Sequence, residues 1–189
     1  MNLAIVGATG NVGRKTLEVF DKKNFKFDDL YLVASEKSAG KKISFRGKEY
    51  VIENLETYDF SKADITFFAA GGKIAEKYAE KAAKHTIVID NSSFFRMDPD
   101  VPLIVPQVNA AEIKNMKKNI IANPNCSTAQ LVIALKPLHN LFNIKRVVVS
   151  TYQSVSGGGK SPMDELIEQT KQYLDGKNRV KKFYQTDRF

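Results

Sequence analysis

A doubly wound α/β fold, followed by the beginning of an α+β domain, is the architecture this sequence predicts. Three observations point to it. Apolar runs of strand length alternate with amphipathic stretches of helix length over about the first 125 residues. The first run ends in a glycine-rich turn that opens a helix. From residue 126 the order changes to helix, strand, glycine loop and helix, so residues 1–125 form one domain and residues 126–189 read as a second that has only begun.

Residues 3–6 are apolar and end at Gly7, as a buried strand does before a turn. Residues 11–22 place Val12, Leu17, Val19 and Phe20 on one helical face, and residues 30–34 form a second strand, completing a βαβ unit. Further strands are expected at 48–53, 64–70, 86–89, 103–105 and 120–122, with a helix at 73–84. Asn109 and Glu112 have the spacing of a capping box. An apolar helix should run over 127–141, a strand over 146–153 and a helix over 162–174. The run Val147-Val148-Val149 would leave that strand with an unpaired apolar edge.

With 43% hydrophobic and 26% charged residues, the chain can afford a core and disorder is not expected. The net charge of +8 comes from lysines spread along the chain, which suits a solvated surface and attraction to anionic small molecules rather than a nucleic-acid interface. One cysteine, Cys126, rules out an internal disulfide and a multi-cysteine metal site, and no metal is expected. The N-terminus has no basic leader and no stretch has the length of a membrane span, so a soluble cytoplasmic protein is expected.

The first turn reads Gly7-Ala8-Thr9-Gly10-Asn11-Val12-Gly13. Glycines between a strand and a helix let backbone N–H groups approach a pyrophosphate, and the helix N-terminus adds positive potential, which makes this a Rossmann-like dinucleotide site. At the end of the second strand stand Ser35, Glu36, Lys37 and Ser38. The two hydroxyls and the lysine suit a 2′-phosphate, hence NADP, while Glu36 leaves a ribose hydroxyl as the alternative. Gly71, at the end of the 64–70 strand, joins the cofactor set. The segment from Ser154 to Ser161 imitates a Walker loop, but it has serine where the first glycine belongs and does not follow the first strand. Cys126 follows Asn123-Pro124-Asn125 at the start of a helix, where the dipole favours a thiolate and the Asn125 side chain is placed to donate a hydrogen bond beside it. The alternative for Cys126 is a small buried hydrophobe.

Five ordered segments resemble the aspartate-semialdehyde dehydrogenases: the opening glycine loop, residues 34–42, the string from Asn91 to Asn109, the segment from Asn123 to Thr128, and the segment from Thr151 to Gly157. The resemblance implies that Cys126 is the nucleophile of an acyl-thioester. It implies that Arg96 binds the phosphate or acyl phosphate and that Asn125 and Gln153 hold the substrate. Thr9 to Val12, Lys37, Ser38, Ser156 and Gly157 would contact NADP. Lys37 departs from the arginine expected there and loses the bidentate fork. The implied reaction is the reversible NADPH-dependent reduction of L-aspartyl 4-phosphate to the semialdehyde and phosphate, in lysine, diaminopimelate, threonine and methionine biosynthesis, by a homodimer or homotetramer. The acid/base histidine of that family is expected beyond residue 189, which would leave residues 1–189 inactive alone; His85 and His139 match no catalytic motif. Two alternatives stay open, an N-acetyl-γ-glutamyl-phosphate reductase and a piece that only binds NADP.

Overall fold

The computed structural model describes residues 1–177; residues 178–189, the end of the expected second domain, lie outside the described residues. The chain divides into two compact units, Met1–Val147 and a second that begins at Val148.

The first unit is built on one seven-stranded sheet. Its strands are β1 (Leu3–Val6), β2 (Leu30–Ala34), β3 (Lys42–Phe45), β4 (Lys48–Asn54), β5 (Ile65–Phe68), β6 (Ile87–Asp90) and β7 (Ile120–Ala122), and its helices are α1 (Asn11–Lys22), α2 (Gly72–Ala82), α3 (Pro106–Asn109) and α4 (Cys126–Phe142). The strand order is β3-β4-β2-β1-β5-β6-β7, parallel throughout except for the β3–β4 hairpin. β1 is the centre. The chain runs outward to β2 and β4, then crosses back to β5, β6 and β7, so the direction of winding reverses between β1 and β5.

Side-chain alternation along β1 sorts the core. Leu3 and Ile5 join Leu17 of α1 with Leu30, Leu32 and Ile52 on one face. Ala4 and Val6 join Phe68, Val88 and Ile120 with the α2 residues Ala75, Tyr78, Ala79 and Ala82 on the other. A strand buried on both faces must be apolar at every position, which is why β1 reads as an unbroken hydrophobic run. The small residues of α2 let its axis approach the sheet closely.

Three expectations need correction. The hairpin strand β3 was not foreseen; Arg46 and Gly47 both take positive φ (51° and 74°), the geometry of a tight two-residue hairpin turn. The capping box does not form, because the Asn109 side chain instead accepts from Val105 N and donates to Leu103 O, both at 2.9 Å, closing its own loop. The strand at 103–105 shrinks to a single bridge between Leu103 and Ala122. Pro102 and Pro106 flank it and neither has an N–H to extend a ladder.

A fourth correction concerns residues 146–153, which form no strand. A β-branched run supplies propensity, but a strand exists through bonds to a neighbour, and no described strand pairs with this one. Val147, Val148 and Val149 are exposed. The second unit holds a short 3-10 turn, Val155–Gly158, and helix α5 (Lys160–Leu174), which starts two residues earlier than the expected 162–174.

Arg46 ties the hairpin to the end of α1. Its guanidinium donates to Phe25 O at 2.9 Å, to Phe20 O, and to Asp21 Oδ1 at 3.1 Å, and it lies over the Phe27 and Phe45 rings at 5.5 and 5.0 Å. Replacing Arg46 with alanine should lower stability by about 1–3 kcal/mol, from charged hydrogen bonds and ring contacts together. Lysine should recover less than half, since an ammonium cannot span two carbonyls and two rings. Urea unfolding of the three proteins tests this; a lysine variant as stable as the parent would show that charge alone suffices.

Candidate functional site

All parallel strands end on one edge of the sheet, and the residues singled out from the first unit gather there. After β1, Gly7 turns with φ of 87°. A β-carbon at Gly7 would lie 2.8 Å from the carbonyl carbon and oxygen of Ala69, just past β5, and one at Gly13 would lie 2.4 Å from Gly7 O. The first glycine therefore admits close approach of two strand ends, and the last brings α1 down onto the loop. Gly10 is the N-cap of α1 and offers no side-chain cap. By helix geometry the amides of the first turn have no intrahelical acceptor. Bare backbone, an uncapped helix start and a crevice where the winding reverses fit the pyrophosphate of a dinucleotide.

Thr9 is half-buried, and Asn11 and Val12 are exposed at the mouth of the loop. The β1 turn is bonded to the end of β2 by Gly7 N to Val33 O at 2.8 Å. Immediately beyond lie Ser35, Lys37 and Ser38, in a 3-10 turn closed by Ser38 N to Ser35 O at 2.8 Å. Ser35, Glu36 and Lys37 are exposed, and neither Glu36 nor Lys37 makes an ion pair among the described residues. Gly71, past β5, takes φ of 85° as the uncapped start of α2.

Cys126 stands at the opposite end of this edge. It is exposed and is the first residue of α4. Asn125 caps the helix, its Oδ1 accepting from Ser127 N at 2.9 Å. The same oxygen lies 4.0 Å from Cys126 Sγ, so the thiol is the donor in this pair. This reverses the expectation that Asn125 donates towards the cysteine, because the oxygen is committed to the cap. Its Nδ2 group has no partner among the described residues.

Arg96 is half-buried between the ends of β6 and β7. Nε donates to Asn123 O at 2.9 Å and Nη2 to Asn91 O at 3.3 Å, while Asn123 Nδ2 donates to Asn91 Oδ1 at 2.6 Å. Asn123 N in turn donates to Asp90 O at 2.8 Å. Two asparagines that sequence reasoning gave no role thus set the stem from which Cys126 projects. No spacing rule could find them, since they lie 32 residues apart.

Charged contacts pin the loop that carries Arg96. Lys118 pairs with Asp98 at 3.0 Å and with Glu80 of α2 at 3.3 Å, and Lys117 pairs with Asp100 at 2.7 Å. The Asp100 N–H and the Lys118 ammonium hold the Asp98 carboxyl below its ordinary range. Lys118 is raised by Asp98 and Glu80.

In the second unit, the Gln153 carboxamide folds over Gly157, where a β-carbon would come 2.0 Å from Nε2. Ser156 Oγ shares a 2.9 Å hydrogen bond with Ser154 Oγ. Gln153, Ser156 and Gly157 thus form one local group. Among the described residues no three acidic, histidine or cysteine side chains could hold a metal ion, and no helix is long and apolar enough to cross a membrane.

Residues 2–116 match the family described as semialdehyde dehydrogenase, NAD binding domain, and residues 135–187 match semialdehyde dehydrogenase, dimerisation domain. An aspartate-semialdehyde dehydrogenase of Aquifex aeolicus is 53% identical over 182 residues, which is 95% of this chain and 54% of that protein. The crystal structure of aspartate semialdehyde dehydrogenase II of Vibrio cholerae, complexed with ASA, superposes with a TM-score of 0.92 at 46% identity, covering 98% of this chain and 56% of that one. A Candida albicans aspartate semialdehyde dehydrogenase with NADP superposes at a TM-score of 0.57 and 30% identity, covering 76% of this chain and 48% of that one. The chain spans about half the length of these relatives.

The Asp98–Lys118 contact makes stability depend on pH. A carboxyl held low in the folded state contributes stability above its unfolded pKa of about 3.9, and the contribution is lost as pH falls through the lower folded value. Lys118→Met should therefore lower the denaturant midpoint only slightly at neutral pH, because the pair is partly exposed and screened by solvent. The difference from the parent should close as pH falls below about 4. Denaturant midpoints between neutral and acid pH check this; a gap that persists at low pH would mean that Lys118 acts through packing.

Proposed function

The chain belongs to the semialdehyde dehydrogenase family, and from that membership we propose that its protein reduces L-aspartyl 4-phosphate to L-aspartate 4-semialdehyde and phosphate, with NADPH as reductant and Cys126 as nucleophile. The observation that carries this reading is an exposed cysteine at the opening of α4, on the same sheet edge as the glycine cradle. Four strand spacings of roughly 4.8 Å separate β2, which carries the 2′-phosphate residues of this reading, from β7, about 19 Å across, the order of an extended dinucleotide. The aspartate-semialdehyde dehydrogenase relatives, and the Vibrio cholerae structure complexed with ASA and the Candida albicans structure with NADP, support the same substrate and cofactor.

The chemistry follows from the residues. The Cys126 sulfur attacks the acyl carbon, a C–S bond forms, and the C–O bond to phosphorus breaks with its electron pair leaving on phosphate. Arg96 meets that developing charge: its Nε and Nη2 are held by carbonyls, and nothing among the described residues takes Nη1. NADPH, when bound, supplies the hydride that reduces the thioester carbonyl. The C–S bond then breaks, the thiolate leaves and the aldehyde is released. The Nδ2 group of Asn125, without a partner among the described residues, supports a role in orienting the substrate, and the family resemblance supports the same role for Gln153.

Thr9 to Val12, with Gly7, Gly10 and Gly13, hold the pyrophosphate, and Ser35, Lys37 and Ser38 hold the 2′-phosphate. Its place past β5 supports Gly71 in the first unit, and separately the family resemblance supports Ser156 and Gly157 in the second, as further cofactor contacts. The NADP domain extends to residue 125 and the catalytic domain opens at Cys126. His85 stands before β6, at the other edge of the sheet, and His139 is roughly 20 Å along α4 from the thiol by helix rise. Neither exchanges a proton with Cys126. The dimerisation-domain match supports a homodimer or homotetramer, working in the cytoplasm to feed lysine, threonine and methionine synthesis.

Two measurements on the intact protein test this. Cys126→Ser should lower kcat by about 10⁴-fold or more, because a hydroxyl has no comparable anion at neutral pH; the assay is semialdehyde- and phosphate-dependent formation of NADPH. Turnover near that of the parent would remove the thioester from the mechanism. Calorimetric titration should find NADPH bound about tenfold or more tighter than NADH, the scale of about 1.4 kcal/mol from one charged contact. Equal affinities would assign the ribose to Glu36 instead.

A further inference from the structure

The order of the strands fixes the order of chemistry along the carboxyl edge. Ser35, Lys37 and Ser38 follow β2, the glycine loop follows β1, Gly71 follows β5, Phe94 lies in the turn after β6, and Cys126 follows β7. A dinucleotide with its pyrophosphate on α1 and its ribose phosphate beyond β2 has one direction left for its other half. That half crosses the ends of β5 and β6 on its way to Cys126, and Phe94 stands on that path.

Phe94 is 46% exposed, an unusual state for a phenyl ring held as firmly as this one. Its N–H donates to Ser92 Oγ at 3.1 Å, and the Ser92 hydroxyl donates to Asp90 Oδ2 at 2.6 Å, with Asp90 fully buried. Its ring meets the buried Phe95 edge-on, at 4.8 Å between centroids and 85° between planes. Its Cβ lies 4.0 Å from where a β-carbon on Gly72 would stand, so the absence of a side chain at residue 72 leaves the ground beside the ring bare. The ring is thus anchored below and open above.

Resting on the dinucleotide reading, we propose that Phe94 is a positioning residue for the cofactor: its exposed ring is the wall against which the nicotinamide half packs, setting that ring over the β6 end in reach of the Cys126 thioester. A planar aromatic ligand on a fixed aromatic side chain gains contact area without ordering a mobile residue. The adenosine half lies on the β2 side of the glycine loop and does not meet Phe94.

The test is isothermal titration calorimetry of the intact protein with two probes, NADP⁺ and adenosine 2′,5′-bisphosphate, which lacks nicotinamide. Phe94→Ala should weaken NADP⁺ about tenfold, the size of one aromatic contact, and leave the bisphosphate within about twofold. Phe94→Trp should restore NADP⁺ binding, and thermal melts of both variants confirm that the fold is kept. Unchanged NADP⁺ affinity in Phe94→Ala, with the parent binding normally, would overturn the proposal and leave the dinucleotide reading standing. Equal loss of both probes, or a large fall in melting temperature, would overturn it too, by showing that Phe94 supports the crevice or is covered by protein. Failure of the parent to bind NADP⁺ would remove the dinucleotide reading itself.

Discussion

A β-carbon at residue 7 would sit 2.8 Å from the Ala69 carbonyl, so β1 and β5 can leave the sheet this close together only across a glycine. The arrangement of the edge depends on that contact. It keeps the crevice narrow at the point where the winding reverses, and it aims the start of α1 across the end of β5. The neighbouring constraint at Gly13, whose β-carbon would strike Gly7 O at 2.4 Å, sets the depth of the helix. With these two absences of side chain in place, the remaining loops fall along one line because every neighbouring strand is parallel.

Arg96 is a structural cation that, in the proposed reaction, also meets the phosphate. Two of its nitrogens hold the carbonyls of Asn91 and Asn123, satisfying acceptors that the ends of β6 and β7 would otherwise leave open. The guanidinium is planar and multiply donating, so it can brace two strand ends and still present a further N–H to an anion. A lysine could do one or the other. The same economy appears at Asn125, whose oxygen closes the first turn of α4 while its nitrogen has no partner among the described residues.

Much of this was legible in the sequence, for identifiable reasons. β1, α1 and β2 sit where hydrophobic period and glycine punctuation put them, because a buried central strand has no latitude in composition. Cys126 at a helix start followed from Asn123-Pro124-Asn125, since proline and a capping residue announce a helix locally. What was not legible depends on distant partners. The bond between Asn91 and Asn123 spans 32 residues. The β3 strand is half polar and its turn uses arginine in a left-handed conformation, a residue no turn rule selects. The valine run at 147–149 reads as a strand by propensity, yet propensity describes how well a residue fits a sheet and supplies no neighbour.

The ends of the β-ladder have a bearing on the protein's behaviour in a crowded cell. A sheet margin with open N–H and C=O groups is a template for polymerisation. Here one margin is β3, four residues long, with exposed Lys42 and a sharply turned hairpin held down by Arg46. The other is β7, three residues long and already met by Pro102 O and Ile104 N at Ala122. Two prolines frame that second contact, and neither can donate to an incoming strand. Growth of fibrils by strand addition therefore has poor footing on either flank of the described sheet. The described sheet thus resists strand addition at both margins, while its carboxyl edge keeps the exposed glycine loop and Cys126.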